Sequence, residues 1–202
     1  MLKNIVFDLG GVVVHHNEEG FKQYLGDFFS FVFGATMSGV PQFWLDFDNG
    51  LLTLEETAVE VAKFRNCEVE TAKNNIQRAL ELQEPVLPTI AFIEELKERG
   101  YKLYVLSNMS REYIAYLRKL PVFDLFDGQI VSCEVGCGKP HREIYDCLLS
   151  RYELNPAETN FIDDRIDNVE AAAEVGIIPF HFDRKNPEKA CNDLRDIIYK
   201  KQ

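Results

Sequence analysis

Short apolar runs that each stop on a polar or glycine-containing corner recur along the chain and constrain its fold more than any other feature. They are Ile5-Val6-Phe7 before Asp8, Leu103 to Leu106 before Ser107, Gln129 to Val131, Phe161-Ile162 before Asp163, and Ile177 to Phe182. Apolar runs of this kind read as strands covered on both faces, the pattern of a parallel sheet. Helical patterns with recognisable ends separate them: Pro88 to Arg99 stopped by Gly100, Arg142 to Tyr152, Asn168 to Val175 stopped by Gly176, and Pro187 to Lys200. Alternation of strand and helix from about residue 88 onward predicts an α/β fold on a doubly wound parallel sheet.

The first run stands apart. Residues 17–86 follow it with helical patterning and no convincing strand. Within them Thr53-Leu54-Glu55-Glu56 is a capping box opening an amphipathic stretch to Lys63, and Glu70 to Leu82 forms another. We expect residues 1–16 and 87–202 to form the α/β core and 17–86 a helical insert. The insert holds an aromatic run, Phe28, Phe29, Phe31, Phe33, Phe43, Trp44 and Phe47, read as its core. Phe28 to Leu45 carries no charged side chain, but its serines, glycines and Pro41 argue against a membrane span. It is expected to be buried or to face a partner, so monomer and homodimer both stay open.

Composition excludes other classes. Of 202 residues, 33 are acidic and 22 are Lys or Arg, a formal charge of -11, which gives nucleic acid or an anionic membrane no electrostatic footprint. Five cysteines without a CxxC pair fit free thiols in a reducing, cytoplasmic setting. Asp8 interrupts the apolar stretch that a secretory signal would need.

Ligands of open parallel sheets bind beyond the carboxyl ends of the strands, so polar residues that directly follow the runs should converge there. Asp8-Leu9-Gly10-Gly11, Ser107-Asn108 and Asp163-Asp164 fit, and Gly138-Lys139-Pro140 precedes a helix. Carboxylates, a hydroxyl, an ammonium and flexible glycines suit holding a divalent cation and a phosphoryl group and attacking phosphorus. Mg²⁺ prefers a few carboxylate oxygens with phosphate and water. Taken singly, each cluster also has a plain reading: Asp8 as an Asx turn, Ser107-Asn108 as a helix cap, Asp163-Asp164 as a solvated turn.

In this order and strand context, FDLGG (Phe7 to Gly11), LSN (Leu106 to Asn108), GKP with Ile144-Tyr145, and FIDDRIDNVEAA ending in Gly176 resemble the haloacid dehalogenase superfamily, largely aspartate-nucleophile phosphatases. The insert is similar to the helical cap of the subclass that carries its cap after the first motif. Among members, the motifs most resemble sugar phosphatases acting on glucose-1-phosphate. The resemblance implies Asp8 as nucleophile and metal ligand, with the Gly10 carbonyl, Asp163 and Asp164 completing a Mg²⁺ site. It implies Ser107, Asn108, Lys139 and Gly11 as phosphate contacts, Lys139 also neutralising Asp8 and the acidic pair. A small phosphorylated metabolite is the substrate it points to.

One position departs from the family pattern. The aspartate usually found two residues after the nucleophile, which protonates the leaving alcohol and then activates water, is Gly10 here. Three readings follow: a leaving group that needs little protonation, such as a sugar-1-phosphate oxygen; a substitute among His15, His16 and His141; or a phosphate-binding protein without turnover. A metal-independent 2-haloacid dehalogenase fits the Asp163-Asp164 pair less well. Asn168 is expected to order the metal loop, Arg142 and Arg165 to be surface or salt-bridging groups, and Cys133 and Cys137 to be structural thiols.

Overall fold

Every apolar run that ends on a polar corner is a strand of one parallel sheet in the computed structural model, which describes residues 2–32 and 39–200. In chain order the regular elements are β1 (Asn4–Phe7), β2 (Val14–His16), α1 (Glu18–Tyr24), α2 (Gln42–Asp48), α3 (Leu54–Arg65), α4 (Val69–Glu81), β3 (Gln83–Pro85), α5 (Leu87–Glu98) and β4 (Lys102–Ser107). There follow α6 (Arg111–Leu117), β5 (Gly128–Val131), α7 (Ser132–Val135), α8 (Arg142–Arg151), β6 (Thr159–Asp163), α9 (Ile166–Glu174), β7 (Ile178–His181) and α10 (Pro187–Lys200).

The strands lie in the order β5-β4-β1-β6-β7, and all neighbours are parallel. Ile5, Val6 and Phe7 of the central β1 are fully buried, as a strand covered by helices on both faces requires. Phe7 registers with Val105 on one side and Ile162 on the other. That register sets Asp8, Ser107 and Asp163 at one edge, where the winding direction reverses beside β1 and ligands of such sheets bind.

The described residues of the 17–86 segment hold helices α1 to α4, with the expected capping box in place. Thr53 N–H donates to Glu56 Oε2 at 2.8 Å, and Glu56 N–H donates back to Thr53 Oγ1 at 3.2 Å, an arrangement worth about 1 kcal/mol to α3. The aromatic run is the insert's core. Phe29 and Phe47 are 1% exposed, and Trp44 packs against both with ring centroids 5.5 and 5.6 Å away. Phe33, and the part of the uncharged stretch from 33 to 38, lie outside the described residues. Tyr113 of α6 joins this cluster, and its hydroxyl donates to the Ile76 carbonyl at 3.2 Å, tying insert to sheet.

The expectation of an insert without a convincing strand is corrected in one place. β2 and β3 pair antiparallel, with His15 opposite Glu84 and His16 opposite Gln83, where the chain leaves the core and returns to it. Gln83-Glu84-Pro85 has no apolar alternation and ends in proline, so nothing in its side chains announces a strand. The pairing comes from the two crossings running side by side.

Candidate active site

Lys139 is the centre of the strand-edge cluster. Its Nζ lies 2.8 Å from Asp8 Oδ1 and 2.6 Å from Asp163 Oδ2, and the lysine is 3% exposed. Burial works against its charge, but the two carboxylates outweigh that and hold the ammonium above its ordinary value. Asn108 positions the lysine loop by a reciprocal pair: its Nδ2 donates to the Lys139 carbonyl at 2.8 Å, and the Lys139 N–H donates to its Oδ1 at 2.7 Å. The Asn108 side chain is thus committed to Lys139.

Asp163 is fully buried and held on all sides. It accepts the Arg165 N–H at 2.8 Å, and Asn168 Nδ2 reaches its two oxygens at 3.1 and 3.0 Å. Tyr145 in turn donates to the Asn168 carbonyl at 2.9 Å, so Asn168 orders this loop. Asp164 pairs with Arg184 at 3.1 Å. One oxygen from each of Asp8, Asp163 and Asp164 lies within 4.8 Å of the others. Three carboxylates around one ammonium leave an excess of negative charge. Burial first, and then Asp8, raise Asp163 to about 7 against the pull of Lys139, and the same two causes raise Asp164.

The segment after β1 closes tightly. The Leu9 carbonyl accepts N–H groups from Val12 (3.3 Å), Val13 (2.9 Å) and Val14 (2.9 Å). The Gly11 N–H, expected to contact phosphate, is instead donated to the Val14 carbonyl at 2.7 Å. Gly11 serves the site another way: its φ is +77°, and an added Cβ would fall 2.8 Å from Asp164 Oδ2, so only glycine lets Asp164 approach. A Cβ on Gly10 would meet nothing within 4 Å. Ser107 is 1% exposed, and its Oγ has no hydrogen-bond partner among the described residues. A buried hydroxyl left unpaired beside this cluster is a donor for a ligand.

Asp8, Ser107, Lys139 and Asp164 line a cavity of about 1300 Å³ between core and insert, with Phe29 and Trp44 among its insert residues. His15 and His16 also line it. His15 is exposed, whereas His16 sits 2.8 Å from Gln83 Nε2 with its ring edge-on to Phe21 at 4.7 Å. Burial, then the neighbouring His15, push the His16 imidazolium down to about 4, so its ring is neutral at pH 7. His141 is exposed at the start of α8. Arg142 pairs with Asp146 on the surface, but Arg165 lines the cavity and donates to the Val32 carbonyl at 2.8 Å, bridging to the insert. Burial raises the thiols of Cys133 and Cys137, which keeps them protonated.

Arg184 and Asp48 are among the residues of the cavity wall that the sequence reading did not point to. For Asp48 a signal existed: it is the last residue of α2, where the negative end of the helix dipole disfavours an acid. Arg184 carried no signal of its own.

A protein-family model for haloacid dehalogenase-like hydrolases matches residues 2–176. The chain is 26% identical to the sesquiterpene phosphatase astK of Aspergillus oryzae, over 97% of this chain and 96% of that one. Among solved structures it resembles a predicted HAD-like family hydrolase of Porphyromonas gingivalis, with a TM-score of 0.72 and 30% identity over 96% of this chain and 98% of the other. It shares its fold with a HAD family enzyme of Bacteroides thetaiotaomicron crystallised with magnesium and inorganic phosphate, with a TM-score of 0.71 and 24% identity over 91% of this chain and 96% of that one. With Asp8, Lys139 and the aspartate pair gathered at the strand edge, a match of this extent makes the chain a haloacid dehalogenase-like hydrolase.

Proposed function

We propose that the protein is a Mg²⁺-dependent phosphomonoesterase acting on a small phosphorylated metabolite, with Asp8 as the nucleophile. The observation that carries this reading is the buried Asp8–Lys139–Asp163 array, with Asp164 within 4.8 Å and the unpartnered Ser107 hydroxyl beside it. The donor set is all oxygen, which suits Mg²⁺. Asp8, Asp163, Asp164 and the Gly10 carbonyl would hold the ion, which when bound offsets the repulsion between Asp8 and a phosphate dianion. Ser107 Oγ, the Asn108 backbone N–H and Lys139 hold the phosphoryl oxygens, and an Asp8 oxygen attacks phosphorus in line with the leaving group. The aspartyl-phosphate so formed is hydrolysed by water in a second step. Asn108 and Asn168 keep Lys139 and Asp163 in place throughout.

A sugar phosphate such as glucose-1-phosphate is the first substrate to test. A second reading, the phosphate ester of an apolar alcohol, has the aromatic residues Phe21, Phe29 and Trp44 along the cavity and the Aspergillus sesquiterpene phosphatase in its favour. Both are separated by phosphate release from a panel holding sugar phosphates and isoprenoid monophosphates, with and without Mg²⁺. Release that needs Mg²⁺ is expected. No release from any ester would indicate a phosphate binder, and chloride freed from a 2-haloacid without metal would indicate a dehalogenase. No helix among the described residues is long and apolar enough to cross a membrane.

Metal binding has a signature independent of turnover. The Asp163 carboxyl titrates near 7 in the folded chain and about 3.9 in an unfolded one, so the unfolded state holds fewer protons between those values and stability falls as pH rises through them. A cation replaces that proton. Mg²⁺ is therefore expected to raise the Tm more at pH 8 than at pH 6, which calorimetry with and without EDTA would show.

A further inference from the structure

Gly10 leaves the chemistry one group short, and the space above it is empty: no atom lies within 4 Å of where its Cβ would stand. Among the described residues, four acidic residues of the insert line the same cavity without belonging to the metal cluster: Glu19, Asp27 and Glu84 are exposed, and Asp48, at the C-terminal end of α2, is the one that is half-buried. Its segment is pinned to the core at three points. Ser132 Oγ donates to the Asp48 main-chain carbonyl at 2.5 Å. Asn49 packs against Gly138, the residue before Lys139, so closely that a Cβ there would lie 2.8 Å from Asn49 Oδ1. Gly50 (φ +71°) lies against Cys133, where a Cβ would come 2.7 Å from the Cys133 carbonyl. The Asp48 carboxyl itself meets the backbone N–H of Ser110, three positions beyond Ser107 on the same strand-end loop.

We propose that Asp48 is the proton donor and acceptor that replaces the acid missing at Gly10, a carboxyl group brought from the helical insert to the leaving oxygen. The assignment rests on the phosphomonoesterase reading above. In the first step an Asp8 oxygen bonds to phosphorus, the P–O bond to the alcohol breaks, and the leaving oxygen takes the Asp48 proton, giving the free alcohol and an Asp48 carboxylate. In the second, water attacks the phosphorus and gives its proton to Asp48. The bond to Asp8 then breaks, phosphate leaves, and both carboxyl groups return to their starting states.

The surroundings supply the protonation state this needs. Asp48 is half-buried as a residue, but its carboxyl lies deep: desolvation raises it to about 8, against the Arg165 charge and the Ser110 N–H that favour the ionised form. Besides Arg165, the titratable groups around its segment include Tyr113 of α6, whose own proton Asp48 helps retain, Cys133 of α7, and Arg111, whose Nη2 donates to the Gly50 carbonyl at 3.4 Å. The negative end of α2 acts in the same direction as burial.

The test compares wild type and Asp48→Asn on two esters, glycerol 2-phosphate, whose alcohol must be protonated, and p-nitrophenyl phosphate, whose acidic phenol leaves as an anion. Asp48→Asn is expected to lose about 10²-fold or more in kcat/KM on the alkyl ester and clearly less on the aryl ester. Gly10→Asp, which the open space accommodates, is expected to restore the alkyl ester selectively in the Asp48→Asn background. Wild-type kcat on the alkyl ester should fall as pH rises past about 8, a limb that can be read without any variant. Equal losses on both esters, or a flat wild-type limb, would overturn the role of Asp48 and leave the phosphatase intact. Wild type that hydrolyses neither ester would overturn the phosphatase reading, and the proposal with it.

Discussion

Asp8→Asn is expected to abolish Mg²⁺-dependent phosphate release, by on the order of 10⁴-fold or more, while leaving the fold in place. Asparagine has the shape of aspartate, and its amide oxygen can still accept from Lys139, now 2.8 Å from Asp8 Oδ1. What it lacks is an anionic oxygen able to form a bond to phosphorus, so loss should appear in kcat for every ester, good and poor leaving groups alike. That separates it from Asp48→Asn, whose effect depends on the leaving group. Removing one of three clustered carboxylates also relieves repulsion in the metal-free protein. Thermal stability without metal should therefore hold or rise, and the stabilisation by Mg²⁺ should shrink. Phosphate release and calorimetry on one preparation would show both. An Asp8→Asn protein with full turnover would remove Asp8 as nucleophile.

The parts of this fold that could be read in the sequence are those whose physics is local. A strand buried on both faces has to be apolar throughout and has to end where the chain meets solvent, so Ile5-Val6-Phe7 before Asp8 and Phe161-Ile162 before Asp163 announce both the sheet and its reactive edge. The Thr53 capping box likewise involves residues three apart. What stayed hidden depends on chain crossings. The β2–β3 ribbon exists because two segments far apart in sequence run together, and its Gln83-Glu84-Pro85 strand has no pattern to find. The same holds within the site. Gly11 sits in the expected loop, but its amide goes to Val14, because the turn after β1 needs that bond to close. Asn108 follows Ser107 as expected, yet its side chain holds the Lys139 loop. Asp48 belongs to an insert that the motifs do not describe, and only the packing of α2 onto the strand-end loops brings it to the cavity.

Lys139→Met is expected to have the largest effect on stability. Methionine fills much of the lysine stem's volume, so a cavity contributes little, and the change isolates the charge. In wild type the ammonium is shared by Asp8 and Asp163, with its side chain 1% exposed and that of Asp163 fully buried. Removing one partner of a buried array leaves the others uncompensated, at a cost of about 3–5 kcal/mol. The cost must depend on pH, because Asp163 escapes it by taking a proton. Its folded value is already raised to about 7 with the lysine present and rises further without it. A carboxyl raised in the folded state loses stability as pH climbs from its unfolded value through its folded one. The deficit of Lys139→Met should therefore be small near pH 5 and grow as pH climbs through 7 to 8 and above. Mg²⁺ supplies countercharge to the same oxygens, so adding it at pH 8 should recover part of the stability but little activity, since the phosphoryl contact is gone and kcat stays down by about 10²- to 10³-fold. Urea denaturation at pH 5 and pH 8, with and without Mg²⁺, measures all four corners. Equal stability of variant and wild type at pH 8 without metal would mean that Asp8 and Asp163 are balanced by something other than Lys139.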